Sequence, residues 1–221
     1  MLAAARNFAE RQGAMFRSMT AYLFAGDSDA AMEVGKTMLA EAEVAGNHAA
    51  MGGVHDYMGD IMLSAGYPAK AVEHYDAALD HRMQANFNEA NKAQAERNHL
   101  FKTAIAAMIS EDLDAAASAT AEYRAAVEVN GTAFEKRRGH ELAAYLAMVN
   151  EEFESAAAHF AEGGQFNPNV LYWSAVNSNE LGDTDKAREL AMRAANRNTL
   201  NPNLPFVRAD ALELLADLDA V

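Results

Sequence analysis

His55 stands beside Asp56, with Asp60 four residues on, and His74 and His81 lie seven residues apart with Asp80 adjacent to the second. Imidazoles near carboxylates can move protons at neutral pH or ligate transition metals, so these positions define the chemistry most open to the chain. Paired ligands on one helix need donors three or four residues apart, and no two histidines are four apart. Cysteine is absent, which removes disulfides, thiolate nucleophiles and thiolate metal sites. The histidines therefore read as solvated or partly buried neutral side chains on acidic helices, and no metal or other cofactor is expected.

Other signatures occur as fragments. Gly35-Lys36-Thr37 has the end of a phosphate-binding loop, but Ala30 occupies the place of its first glycine. His140-Glu141 could open a zinc-protease helix, yet Ala144 stands where the second histidine belongs. Asp27-Ser28-Asp29 and Asp183-Thr184-Asp185 suggest calcium loops, with Met38 and Ala194 in place of the closing glutamate. Helix capping explains both acidic triplets better. No nucleophile elbow or dinucleotide-binding glycine pattern is present, so the expected function is not enzymatic.

Composition narrows the partners. The 221 residues include 32 acidic and 18 basic side chains, a formal net charge of −14. Nucleic acids and anionic lipid surfaces are recognised largely through Lys and Arg, so neither is an expected partner. No uncharged apolar stretch reaches the about 18 residues that a membrane-spanning helix needs. The 51% apolar content is rich in alanine, which favours many close helix contacts over one bulky core. The N-terminus lacks a basic segment followed by an apolar run, so no signal peptide is expected; the cytoplasm is the expected location, with the periplasm open should a signal have been removed.

These side chains must be positioned by helices. Proline is confined to Pro68, Pro168, Pro202 and Pro205, and apolar residues recur at three and four spacing, as in Phe16, Met19 and Leu23. Five turns interrupt the pattern: Ala25 to Asp29, Ser64 to Pro68, Ser110 to Asp114, Asn150 to Glu154 and Leu181 to Asp185. In each, a Gly, Ser or Asn able to end one helix precedes acidic or hydroxyl residues able to cap the next. Aligning on the alanine after each turn gives Ala31, Ala71, Ala116, Ala156 and Ala187. Twelve residues earlier stand Met19, Gly59, Ala104, Ala144 and Ala175, and four residues later Gly35, Tyr75, Thr120, Phe160 and Ala191. Small residues at the crossing of two antiparallel helices allow close approach, with a bulkier neighbour filling the remaining space.

The set Gly59, Gly66-Tyr67, Ala71, Tyr75 and Ala78 resembles the tetratricopeptide repeat (TPR), as do Ala144, Phe153, Ala156 and Phe160 ending in Asn167-Pro168, and the hairpin Leu181-Gly182-Asp183 through Ala191. The resemblance implies an all-α fold, a right-handed solenoid of about five TPR-like helix-turn-helix hairpins with a C-terminal capping helix. The repeat array would occupy 1–202, with hairpins near 5–45, 47–85, 89–129, 133–164 and 168–198, and the capping helix 203–221. Three of the four repeat intervals exceed the ~34-residue period of the family, implying helices longer by one or two turns. In the capping helix Phe206, Ala209, Leu212, Leu215 and Leu218 form an apolar stripe expected to cover the last repeat.

In that family the first helix of each hairpin lines a groove that holds a partner peptide or helix. Carried onto this sequence, the lining includes Arg17, Asp56, Tyr57 and Asp60, with Phe16 beside Arg17. It continues with Asn98, Lys102, Arg138, Glu141, Tyr145, Tyr172, Trp173 and Asn179. Aromatic and arginine side chains dominate binding hot spots, and asparagine can hold a peptide backbone, although Tyr145, Tyr172 and Trp173 could equally pack between helices. The resemblance thus implies a non-catalytic protein-interaction module. Its partner is expected to be a protein or peptide with basic residues near the first two hairpins, with an acidic group near Lys102 and Arg138. Asp56, Asp60 and Glu141 argue against the carboxylate clamp of chaperone-binding TPR domains. A peptide- or ligand-sensing regulatory segment of a larger protein is the alternative, and self-association through the groove or the apolar stripe is compatible with the interaction-module reading.

Overall fold

A single residue in the left-handed region ends several helices and fixes where the next begins. The computed structural model describes residues 5–197 and 204–220, and among them every regular element is an α-helix. In chain order these are α1 (Phe8–Phe24), α2 (Ser28–Val44), α3 (His48–Ser64), α4 (Pro68–Gln84), α5 (Glu89–Ile109) and α6 (Leu113–Asn130). They continue with α7 (Ala133–Val149), α8 (Phe153–Glu162), α9 (Pro168–Glu180), α10 (Thr184–Ala195) and α11 (Leu204–Asp219). Residues 198–203 of the expected last hairpin and capping helix lie outside the described residues.

The turns share one construction. Gly26, Gly46, Gly66 and Gly182 take φ of 75°, 59°, 80° and 77°, and Glu111 and Glu151 take φ of 60° at the equivalent place. The next backbone N–H reaches back into the helix, as in Asp27 N to Tyr22 O and Asp183 N to Ser178 O, both 2.9 Å, which satisfies carbonyls that the helix end leaves open. That same residue then caps the following helix: Asp27, Asn47, Asp112 and Asp183 accept N–H bonds from Ala30, Ala50, Ala115 and Lys186 at 2.9, 3.0, 3.1 and 3.2 Å. Stop and start signals are therefore adjacent letters of the sequence.

The chain divides into two compact units, Met1–Ser110 and Glu111–Val221. In the first, α1 packs on α2, α2 on α3, α3 on α4 and α4 on α5. In the second, the packed series runs from α6 to α11, and α11 also meets α9. The range 89–129, expected to form one hairpin, holds α5 in the first unit and α6 in the second.

Burial follows the register read from the sequence. Ala31, Ala71, Ala116, Ala156 and Ala187 are all fully buried, and so are Ala104, Ala144 and Ala175 twelve residues before three of them. Tyr75 and Phe160, four residues after two of them, are 1% and 3% exposed. At Gly59 the two helices approach closely enough that an added Cβ would lie 2.4 Å from Cε1 of Tyr75.

The apolar stripe of α11 is rotated from its expected position. Leu204, Val207, Ala211 and Leu218 are buried, while Leu212 is 52% exposed. Ala211, with Leu214 and Leu215, packs on Leu171, Ala175, Leu190 and Ala194. Two apolar stripes with three and four spacing coexist in this leucine- and alanine-rich helix, and the one carrying the small Ala211 allows the closer fit.

A capping box opens α7. The Thr132 hydroxyl accepts from Glu135 N at 3.2 Å, and the Thr132 N–H donates to Glu135 Oε2 at 2.8 Å. Tyr123 of α6 donates its hydroxyl to the Glu135 carbonyl at 3.1 Å, which ties the same turn to its neighbour. Thr132→Ala is expected to destabilise the second unit by about 1 kcal/mol, with Thr132→Ser near neutral, measured by urea unfolding followed by circular dichroism.

Candidate functional site

Three helices of the first unit bring the sequence-selected residues onto one partly buried polar surface. From α1, the Phe16 ring lies 5.0 Å from that of Tyr57 on α3, tilted at 40°. Asp56 and Asp60 stand one position before and three after Tyr57. Asn98 and Lys102, one turn apart on α5, reach across to them: Asn98 Nδ2 lies 3.5 Å from Asp56 Oδ2, and Lys102 forms an ion pair with Asp60. From α4, Arg82 pairs with Asp56, and Tyr75 donates its hydroxyl to Asp60 at 2.9 Å. The ammonium of Lys102 also lies 5.3 Å from the centre of the Tyr75 ring. Arg17, next to Phe16, is exposed.

Two carboxylates thus face two cations, and the surface is far less negative than its letters suggest. Burial pushes the Asp56 carboxyl up from its ordinary value, while Lys102 and Arg82 act in the opposite direction. The Tyr57 phenol is raised by burial and then by Asp56 and Asp60. Tyr75 is raised further by burial and by Asp60, so it stays a hydrogen-bond donor at any physiological pH. Arg82 and Tyr75 were absent from the expected lining. Tyr75 occupies a packing position of the repeat register, and Arg82 is set by the antiparallel register of α3 and α4, which spacing within one helix does not report.

The remaining predicted residues belong to the second unit. Glu141 on α7 is 3% exposed; its carboxylate accepts the Gly164 N–H at 3.0 Å and holds the loop after α8. An added Cβ at Gly164 would sit 2.5 Å from that oxygen, so a side chain there would have to displace the carboxylate. Burial raises the Glu141 carboxyl, with Arg138 and the Gly164 N–H opposing it. Arg138 lies over the Phe134 ring at 5.8 Å. Tyr145 packs edge-on against Phe160 with centroids 5.6 Å apart and joins the cluster of Ala144, Ala147, Ala156 and Val170. Tyr172 packs on the cluster around Leu171 and Leu190. Trp173 is 39% exposed, its ring 5.1 Å from that of Tyr172, and Asn179 is exposed. Tyr145 and Tyr172 therefore do packing work, whereas Trp173 and Asn179 remain available at the surface.

No protein-family model and no curated protein matches the chain.

Six of the seven histidines pair with one another across helices. The Nδ1 atoms of His48 and His81 are 3.1 Å apart, those of His55 and His74 3.0 Å, and those of His140 and His159 3.2 Å. His99 instead meets Asp76 at 2.7 Å. The signal in the sequence was the matched spacing on neighbouring helices: seven residues separate His48 from His55 on α3, and seven separate His74 from His81 on α4. Among the described residues no group of three or more His, Asp or Glu side chains is placed to hold a metal ion, and no helix is long and apolar enough to cross a membrane.

Proposed function

We propose that the protein is a non-catalytic interaction module whose helices form TPR-like hairpins in a right-handed solenoid, and that it binds a peptide or helix of a partner protein. The observation that carries this reading is the convergence of Phe16, Tyr57, Asn98 and Lys102 from α1, α3 and α5 on one surface. Successive first helices lying side by side are what a peptide-holding groove requires. The Asp56 and Asp60 carboxylates hold Asn98 and Lys102 in place beside the Tyr57 ring, so that the three side chains meet a ligand in a fixed arrangement. Fixed aromatic and amide groups bind with little loss of side-chain entropy. In the second unit Trp173 and Asn179 supply a comparable exposed pair on α9.

The net charge of −14 favours a partner segment with basic residues, because long-range attraction raises the association rate and selects against acidic competitors. The bipartite test is a capture from lysate with wild-type protein and a Tyr57→Ala, Asn98→Ala variant, followed by calorimetric titration of the recovered segment. The expected result is a loss of affinity of about tenfold or more with unchanged helicity and melting temperature. Equal affinity in both proteins overturns the assignment of this surface. Affinity that does not fall as salt rises overturns the basic character of the ligand.

A further inference from the structure

Four histidines form a two-rung ladder joining α3 to α4. Besides the rungs His48 to His81 and His55 to His74, the rings of His55 and His81 stack between them with centroids 5.5 Å apart. Within each rung the centroids are 5.4 and 5.3 Å apart. For nitrogens 3.1 and 3.0 Å apart, those separations mean that the rings point nitrogen to nitrogen along one line. Metal ligation needs lone pairs converging on a third point, whereas head-on nitrogens share a proton.

We propose that this ladder is an acid-sensitive latch: each rung is closed by one Nδ1–H···Nδ1 bond, tolerates one added proton, and opens when both of its rings are protonated, releasing α3 from α4. In the neutral rung one ring carries its hydrogen on Nδ1 and donates, and the other carries it on Nε2 and accepts. The first proton adds to the free Nε2 of the donor ring and leaves the bond intact, now charge-assisted. The second has only the accepting Nδ1 left, so two N–H groups and two positive charges then face each other. Stacking of His55 on His81 sets the cations of the two rungs against one another as well.

The surrounding charges do little to cancel this. Glu73, next to His74 on α4, favours its protonated form but is outweighed by burial. Asp56, beside His55, is paired with Arg82, and on the α5 side Asp76 is held by His99 and Asp60 by Lys102. Lys92 of α5 pairs with Glu89, and Arg97 is buried. On α2, Glu33 is paired with Lys36 and Glu41 with Arg11 of α1, while Glu43 is exposed. Asp80 adjoins His81 on the exposed side of α4.

The direction of the pH effect follows. Burial, then His74 and His81, lower the His55 imidazole to about 4, and burial lowers His74 too. Bases lowered on folding leave the unfolded chain with more bound protons, so their stabilising share is complete above about pH 6.5 and lost as pH falls toward 4. The raised carboxyl of Asp56 acts with the opposite sign and cannot imitate the latch. The single rung His140 to His159 in the second unit gives a smaller internal comparison.

The test is hydrogen exchange read by mass spectrometry on the full chain at about pH 7 and about pH 5, corrected for intrinsic exchange. It compares wild-type protein with a His55→Gln, His74→Gln variant. In the wild type the opening constant of the amides in α3 and α4 is expected to rise about tenfold over that range, and in the variant about twofold or less. An equal rise in both proteins, or acid-labile amides confined to other helices, overturns the latch. Should the variant not fold, an NMR titration of the wild-type imidazoles decides. Coupled titration with His55 and His74 below 6.5 supports the latch, and four independent rings titrating near 6.5 overturn it.

Discussion

Gly59→Val is expected to destabilise the first unit by about 3 kcal/mol, one of the largest losses any single substitution here should give. A Cβ at this position meets Tyr75 Cε1 at 2.4 Å and Cδ1 at 2.7 Å. The ring cannot retreat, because it is 1% exposed and its hydroxyl is anchored on Asp60. Removing a glycine from the middle of a helix gains at most about 1 kcal/mol of helix propensity, so the clash decides the sign. Urea unfolding measures the loss, and a Tyr75→Leu partner makes the argument specific. With the ring gone the valine should cost much less, so the double variant should lose less than the sum of the two single losses. Additive losses would place the cause of the Gly59 effect elsewhere than at Tyr75.

The second large effect concerns charge. Arg82→Met is expected to cost about 2 kcal/mol near neutral pH, because it leaves the Asp56 carboxylate, whose side chain is only 13% exposed, with Asn98 at 3.5 Å and no ion pair of its own. The figure stays below that for a fully enclosed pair because the Arg82 side chain is 22% exposed and Lys102 is near. Asp56 is already raised by burial, and loss of the cation raises it further. The defect should therefore be fully present above the carboxyl's folded value and shrink as pH falls through it, since the protonated acid needs no counter-charge. Asp56→Asn combined with Arg82→Met should recover most of the loss. A pH-independent loss that persists in the double variant would assign the effect to the packing of the arginine stem instead.

Much of the helical architecture was legible because its signals are local. Gly26 followed by Asp27, or Gly182 followed by Asp183, stops one helix and caps the next within two residues, and the alanine register through Ala71 and Ala156 marks buried faces by spacing alone. The polar surface was partly legible for the same reason: Asp56, Tyr57 and Asp60 share a face of one helix, as do Asn98 and Lys102. What spacing within a helix cannot report is the register between helices. That register sets Arg82 on Asp56, Tyr75 on Asp60, and the histidines opposite one another, so the pairings were missed although every letter was in view. Glu141, expected in the groove lining, is buried instead for a related reason. Its burial depends on the Gly163-Gly164 loop folding back over α7, and a charged residue on a predicted helix carries no local mark of such a cover. In α11 two apolar stripes competed, and the contact with Leu171 and Leu190 chose between them.

The well-packed helix pairs in each unit join helices that are neighbours, or next neighbours, in the chain. Forming each one closes only a short loop, so the ordering entropy is met in small steps and each step is rewarded at once. Local pairing of this kind favours fast folding. A nucleus in either unit needs nothing from the distant end of the sequence, so a growing chain can order its first 110 residues while the rest is still being made, with little time for exposed apolar helices to meet another molecule.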